Sequence, residues 1–156
     1  MIEFSEKALE KFKKTVQKYP HKKAVLLPTL WLAQEEFGYL SLEVMEYIAK
    51  LLDIPPSKVY SVASFYTMLK KEASGKYLIQ VCRTLSCELA GSEEVLEHIS
   101  NKLGIKEGET TADNKFTLVS VECLGSCGTS PVMKINDEHY ENLTKSKINQ
   151  ILDNLN

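Results

Sequence analysis

The placement of four cysteines constrains this chain more than any other feature. The only cysteines are Cys82 and Cys87 in "CRTLSC" and Cys123 and Cys127 in "CLGSC", with 35 residues between the pairs (88 to 122). Each pair begins where a β-rich run ends. "KYLIQVC" runs into Cys82 and "KFTLVSVEC" into Cys123, and the helical pattern "SEEVLEHISNKLG" lies between them. A strand, a crossover helix and a second strand of one sheet make a parallel pair. Parallel strands release their following loops at the same edge, so the four sulfurs are expected to converge on one site.

Four thiolates suit more than one occupant. A four-cysteine zinc site is a common structural centre, but zinc ribbons favour Cys-x2-Cys knuckles, and here the gaps are four and three residues. A 2Fe–2S cluster needs two sulfur ligands on each iron. Two loops carrying two cysteines each match that demand, with Cys82 and Cys87 on one iron and Cys123 and Cys127 on the other. Gly125 and Gly128 would let backbone N–H groups approach the sulfurs. Spacing alone ranks the cluster above zinc and leaves a structural zinc adaptor open. A thiol redox protein ranks lower, because neither pair is the Cys-x-x-Cys at a helix N-terminus that dithiol oxidoreductases use. His21, His98 and His139 are not needed as ligands.

Upstream of the sheet the pattern is helical. Ser5 caps a helix running to about Tyr19, where Pro20 stops it. Leu27, Leu30, Ala33, Gln34 and Phe37 recur at helical spacing, with Pro28 in the first turn and Gly38 at the end. Ser41 caps a third helix with Val44, Met45, Ile48, Leu51 and Leu52 on one face. Pro55 and Pro56 start a fourth, with Val59, Val62, Ala63 and Tyr66 inward. Short connections make this a small helical bundle, residues 1–70. The polar segment "KKEASGK" marks a boundary, and residues 76–156 form a second unit. There, Ser92 caps the crossover helix, whose Leu96, Ile99 and Leu103 face inward. "VMKI" and "EHY" pair across Asn136-Asp137 as a hairpin, and Thr144 caps a last helix carrying Ile148, Ile151, Leu152 and Leu155. The order β-α-β-β-α predicts a mixed sheet flanked by helices, and the whole chain reads as α+β.

Composition removes other classes. The net charge of −2 argues against a nucleic-acid binder with a broad basic surface. No apolar run approaches the roughly 18 residues of a membrane span, and "MIEFSEKALEKFKK" has no apolar signal core, so direct membrane insertion is not expected and the reading is cytoplasmic. In a reducing compartment four cysteines favour metal binding or catalysis over disulfides. Trp31, Phe37, Tyr39, Phe65 and Tyr66 stand at helical spacing and are assigned mostly to the core. "EKFKKTVQK" is a solvated helix face.

These motifs together resemble a known family. "CRTLSC", then "CLGSC" followed by "SPV", is similar to the thioredoxin-like 2Fe–2S subunit of NADH:quinone oxidoreductase, found also in NAD(P)-linked hydrogenases and formate dehydrogenases. The likeness extends to "LLPTLWLAQEEFGYL" and "IPPSKVYSVASFYTML". It implies a thioredoxin-like fold for residues 76–156 and cluster ligation by Cys82, Cys87, Cys123 and Cys127. It implies an electron-transfer subunit, not an enzyme on its own, with FMN and NAD(H) on a larger flavoprotein partner. No G-x-G-x-x-G follows either strand, which agrees with nucleotide binding elsewhere. The helical half is then scaffold and docking surface, with "SFYTML" the segment assigned to the flavoprotein. Thioredoxin-like folds often carry a cis-proline beside the active loop. An ordinary X–Pro bond is trans, and trans is the expectation for Ser130-Pro131. Arg83 has two readings: a cation tuning the cluster, or a side chain that points to solvent or pairs with a surface carboxylate.

Overall fold

A computed structural model describes residues 2–155. The chain divides into two compact units, Met1–Ala73 and Ser74–Asn156.

The first unit is helical. Helices α1 (Glu6–Val16), α2 (Leu26–Phe37), α3 (Leu42–Leu52) and α4 (Pro56–Phe65) are joined by short segments, with a single 3-10 stretch at Lys22–Val25. Each boundary has a local cause. Ser5 and Ser41 accept backbone N–H bonds from Ala8 and Val44, satisfying donors that a helix start leaves orphaned. Gly38 ends α2 at φ 83°, a left-handed value that costs glycine little. Pro56 opens α4, where its missing N–H removes no helical bond. Val25, Leu30, Ala33, Leu40, Ile48, Val59 and Ala63 are fully enclosed. The aromatic residues depart from their assignment to the core. Phe37 stacks on Phe4 with ring centroids 5.7 Å apart, but Trp31, Tyr39 and Phe65 are exposed. Helical spacing places a side chain on a face but does not say whether another element covers that face.

The second unit is built on a four-stranded sheet of order β2-β1-β3-β4. Strand β1 (Tyr77–Cys82) pairs parallel with β2 (Phe116–Val121), in register from Tyr77–Phe116 to Cys82–Val121. Its other edge pairs antiparallel with β3 (Met133–Ile135), which turns through Asn136 at φ 53° into β4 (Glu138–Tyr140). The crossover helix α6 (Ser92–Leu103) buries Val95 and Ile99, and α7 (Lys145–Asn154) buries Ile148 and Leu152. Both pack with Ile79, Leu118, Met133 and Ile135 in one core.

Three local expectations change. The cap of α6 is Gly91 at φ 91°, not Ser92, whose hydroxyl donates instead to Glu88 Oε2 at 3.0 Å. Val95, absent from the sequence assignment, is more buried than Leu96 or Leu103, which lie at the margin of the core. A short helix α5 (Leu85–Leu89) occupies what the sequence suggested was loop, and Cys87 lies within it. Among the described residues no helix is long and apolar enough to cross a membrane.

The parallel pair sets the position of everything beyond it. Leu118 is fully buried in β2, so Leu118→Ala should remove about 2–5 kcal/mol of stability. Urea titration of the full chain followed by far-UV circular dichroism measures this. A loss below about 1 kcal/mol would mean that the sheet core tolerates the cavity.

Candidate metal centre

The two cysteine pairs emerge at the same end of the parallel strands. Cys82 is the last residue of β1, and its backbone N–H donates to the Val132 carbonyl at 3.1 Å. Strand β2 ends at Val121, so Cys123 stands two residues beyond it rather than at its end. The Arg83 N–H donates to the Val121 carbonyl at 3.0 Å, and the Arg83 guanidinium reaches Glu122 Oε1 at 2.9 Å. These contacts tie together the segments that carry Cys82 and Cys123. Arg83 therefore takes the carboxylate-paired of its two readings, and Glu122 offsets its charge.

Within each pair the thiols interact. Cys123 Sγ and Cys127 Sγ lie 3.7 Å apart, and Cys82 and Cys87 influence one another electrostatically. Across the pairs, Cys82 interacts electrostatically with both Cys123 and Cys127. The two pairs therefore leave the sheet on one side and influence one another. Among the described residues no three His, Cys, Asp or Glu side chains draw up tightly enough around a single ion. Cys82 and Cys87 are buried at 2% exposure each, whereas Cys123 and Cys127 are exposed.

Hydrogen bonds divide the thiols further. Burial pushes the Cys82 thiol up. Bonds from the Thr84 hydroxyl, the Thr84 N–H and the Leu124 N–H outweigh that push and leave it below an ordinary cysteine. Burial prevails at Cys87 and raises it, despite contacts with the Ser130 hydroxyl and the Val132 N–H. The Gly125 N–H, 3.4 Å from Cys123 Sγ, is the main cause holding Cys123 low. Cys127 is raised, chiefly by its neighbour Cys123. Gly125 has φ 83°, the left-handed conformation its sequence role calls for. Gly128 has no positive φ, and a Cβ there would meet open space; Leu124 is the second N–H donor from that loop.

Ser130-Pro131 is a cis peptide bond, which overturns the trans expectation. Sequence reasoning missed Thr84, Ser86 and the hydroxyl of Ser130, all of which approach cysteine sulfurs. The available signal was the density of hydroxyl residues in "CRTLSC" and "CLGSCGTS". His98 bonds Asn149 at 2.9 Å, away from the cysteines.

The family of thioredoxin-like 2Fe-2S ferredoxins matches residues 12–156. The chain belongs to that family. Its cofactor is a 2Fe–2S cluster, and the second unit has the thioredoxin-like fold. The donor set fits the group: four soft thiolates in two pairs, with N–H groups directed at the sulfurs. Among relatives of this ferredoxin, an NADH-quinone oxidoreductase subunit from Rickettsia conorii is 44% identical over 155 residues, covering 97% of this chain and 93% of the relative. The mitochondrial NADH dehydrogenase (ubiquinone) flavoprotein 2 of Dictyostelium discoideum is 44% identical, covering 99% of this chain and 64% of its own length. A crystal structure of an NAD+-reducing NiFe-hydrogenase superposes with TM-score 0.70 at 21% identity, over 84% of this chain and 22% of the hydrogenase chain. At that identity the likeness speaks for fold.

The thiolate is the reactive form of cysteine, so the cluster-free ferredoxin should alkylate in a defined order. Cys123, exposed and held low, should react first with iodoacetamide, and Cys87, buried and raised, last. Peptide mass spectrometry over a time course measures the order; equal rates at the two residues would contradict this account of the site.

Proposed function

We propose that this chain is an electron-transfer subunit in which Cys82, Cys87, Cys123 and Cys127 hold one 2Fe–2S cluster. It exchanges single electrons with the FMN of a partner flavoprotein in an NADH-oxidising or NAD-reducing complex. The observation that carries the reading is that two cysteine pairs follow two parallel strands at one edge of the sheet, in a chain of the 2Fe–2S ferredoxin family. The Rickettsia conorii relative, which carries the name of NADH-quinone oxidoreductase, aligns over nearly its whole length. That favours a quinone reductase over a hydrogenase or formate dehydrogenase as the parent complex.

The cluster, when bound, takes up and returns one electron at a time. The chain supplies its environment. Cys82 and Cys87 would hold one iron and Cys123 with Cys127 the other, because each pair stands on its own segment beyond one strand and Cys123 and Cys127 are already in contact. N–H groups of Leu124 and Gly125 favour the deprotonated sulfurs that metal ligation needs. The buried pair shields its side of the site from water, and the exposed pair faces the direction from which a partner can approach. The chain works as a peripheral subunit on the cytoplasmic side and leaves NADH oxidation to the flavoprotein.

Replacement of a thiolate by serine puts a harder oxygen in a site built for soft donors. Each of Cys82→Ser, Cys87→Ser, Cys123→Ser and Cys127→Ser should lose or weaken the visible absorption and lower the iron content of the purified chain. Unchanged spectra and iron content in all four variants would remove the ligand assignment. A colourless wild type carrying zinc would favour the structural adaptor instead.

The helical unit docks the flavoprotein in this reading. Phe65 is 77% exposed, and Met68 is also exposed, within the segment assigned to docking. Phe65→Ala should reduce co-purification with the FMN-binding subunit while leaving the chain's visible spectrum unchanged. Undiminished co-purification would withdraw the docking role from this segment.

A further inference from the structure

Three hydroxyl groups lie among the four thiols, and each has one proton to donate. Their proton accounts differ. Ser130 Oγ donates to the Cys127 carbonyl at 2.9 Å, so its proton is already committed although Cys87 Sγ lies only 3.4 Å away. Ser86 approaches Cys127 from an exposed position where water competes. Thr84 Oγ1 lies 3.3 Å from Cys82 Sγ. No other acceptor among the described residues competes for it.

Thr84 is unusual for a second, independent reason. It is the N-cap residue of α5, with an extended backbone at φ −84° and ψ 164°. A threonine there ordinarily accepts a bond from a backbone N–H of the first turn. Ser5, Ser41 and Thr144 do so at the starts of α1, α3 and α7. Thr84 makes no such cap bond; its hydroxyl is turned to the Cys82 sulfur.

We infer that the Thr84 hydroxyl is a hydrogen-bond donor to the ligand sulfur of Cys82 and raises the reduction potential of the cluster, to a greater extent than Ser130 does. The inference rests on the ligand assignment proposed above. A cluster held by four thiolates is anionic, and reduction adds further negative charge. A proton donated to a sulfur therefore stabilises the reduced state more than the oxidised state. Thr84 is a positioning residue, acting on the cluster through sulfur.

Spectroelectrochemical titration of the full chain with its cluster, read by visible absorption and by electron paramagnetic resonance, tests this. Thr84→Val and Thr84→Ala should lower the potential, and Thr84→Ser, which keeps the hydroxyl, should stay near wild type. Ser130→Ala should shift it less than Thr84→Ala. Intact clusters with unchanged or raised potential in Thr84→Val and Thr84→Ala would overturn the inference. So would a Thr84→Ser shift as large as that of Thr84→Ala, or a Ser130→Ala shift that equals it. If Thr84→Val fails to assemble, the Thr84→Ala and Thr84→Ser pair decides; loss of the cluster in both Val and Ala variants would make Thr84 an assembly residue and overturn the tuning role. Survival of the cluster in all four cysteine variants would instead fail the ligand assignment, an outcome separate from any potential measured at Thr84.

Discussion

The parallel pairing of β1 with β2 is the constraint on which the site depends. It runs in register to Cys82 and Val121, and a parallel pair needs a crossover, which α6 supplies. Both strands therefore point their carboxyl ends the same way, and both cysteine segments leave the sheet at one edge. The hydrogen bond from Arg83 to Val121 and the Arg83–Glu122 contact extend that alignment one step past the strands. An antiparallel pairing of the same two strands would carry the two cysteine pairs to opposite ends of the sheet, and no local hydrogen bond could restore the constellation.

Burial and hydrogen bonding then act against each other at the sulfurs. Low-dielectric surroundings disfavour a thiolate, and donors aimed at it favour one. At Cys82 the donors prevail, and at Cys87, equally buried, they do not. The difference lies in where the donors come from. Cys82 is lowered from its own segment through Thr84 and from the opposite one through Leu124, whereas at Cys87 burial is reinforced by the neighbouring Cys82 and outweighs Ser130 and Val132. The polar environment of the four thiols is thus uneven, and that unevenness follows from backbone paths that the sheet and α5 impose.

Much of this was legible in the residues. The four helices, the crossover, the hairpin at Asn136-Asp137 and the caps at Ser5, Ser41 and Thr144 all rest on local signals: apolar periodicity, proline and glycine punctuation, and hydroxyl caps. The shared sheet edge at which both cysteine segments leave was legible because handedness and parallel pairing are rules of topology. Helix α5 was hidden, since five residues offer too little periodicity to distinguish a helical turn from a loop. Ser92 looked like a cap because serine usually is one, but Gly91 adopts a left-handed conformation and takes the place. Trp31 and Phe65 looked like core because spacing reports a face and not its partner. The hydroxyls beside the sulfurs were invisible for a related reason: their role is set by which acceptors compete for one proton, a tertiary fact.

The central claim is that two cysteine pairs, delivered by two parallel strands, hold the two irons of one cluster. A crystal structure of the iron-loaded chain, with anomalous differences collected at the iron edge, tests it most directly. The account predicts two iron peaks between the cysteine segments, one bonded to Cys82 and Cys87 and the other to Cys123 and Cys127. A single metal peak, or irons each bonded to one cysteine from either segment, would contradict it.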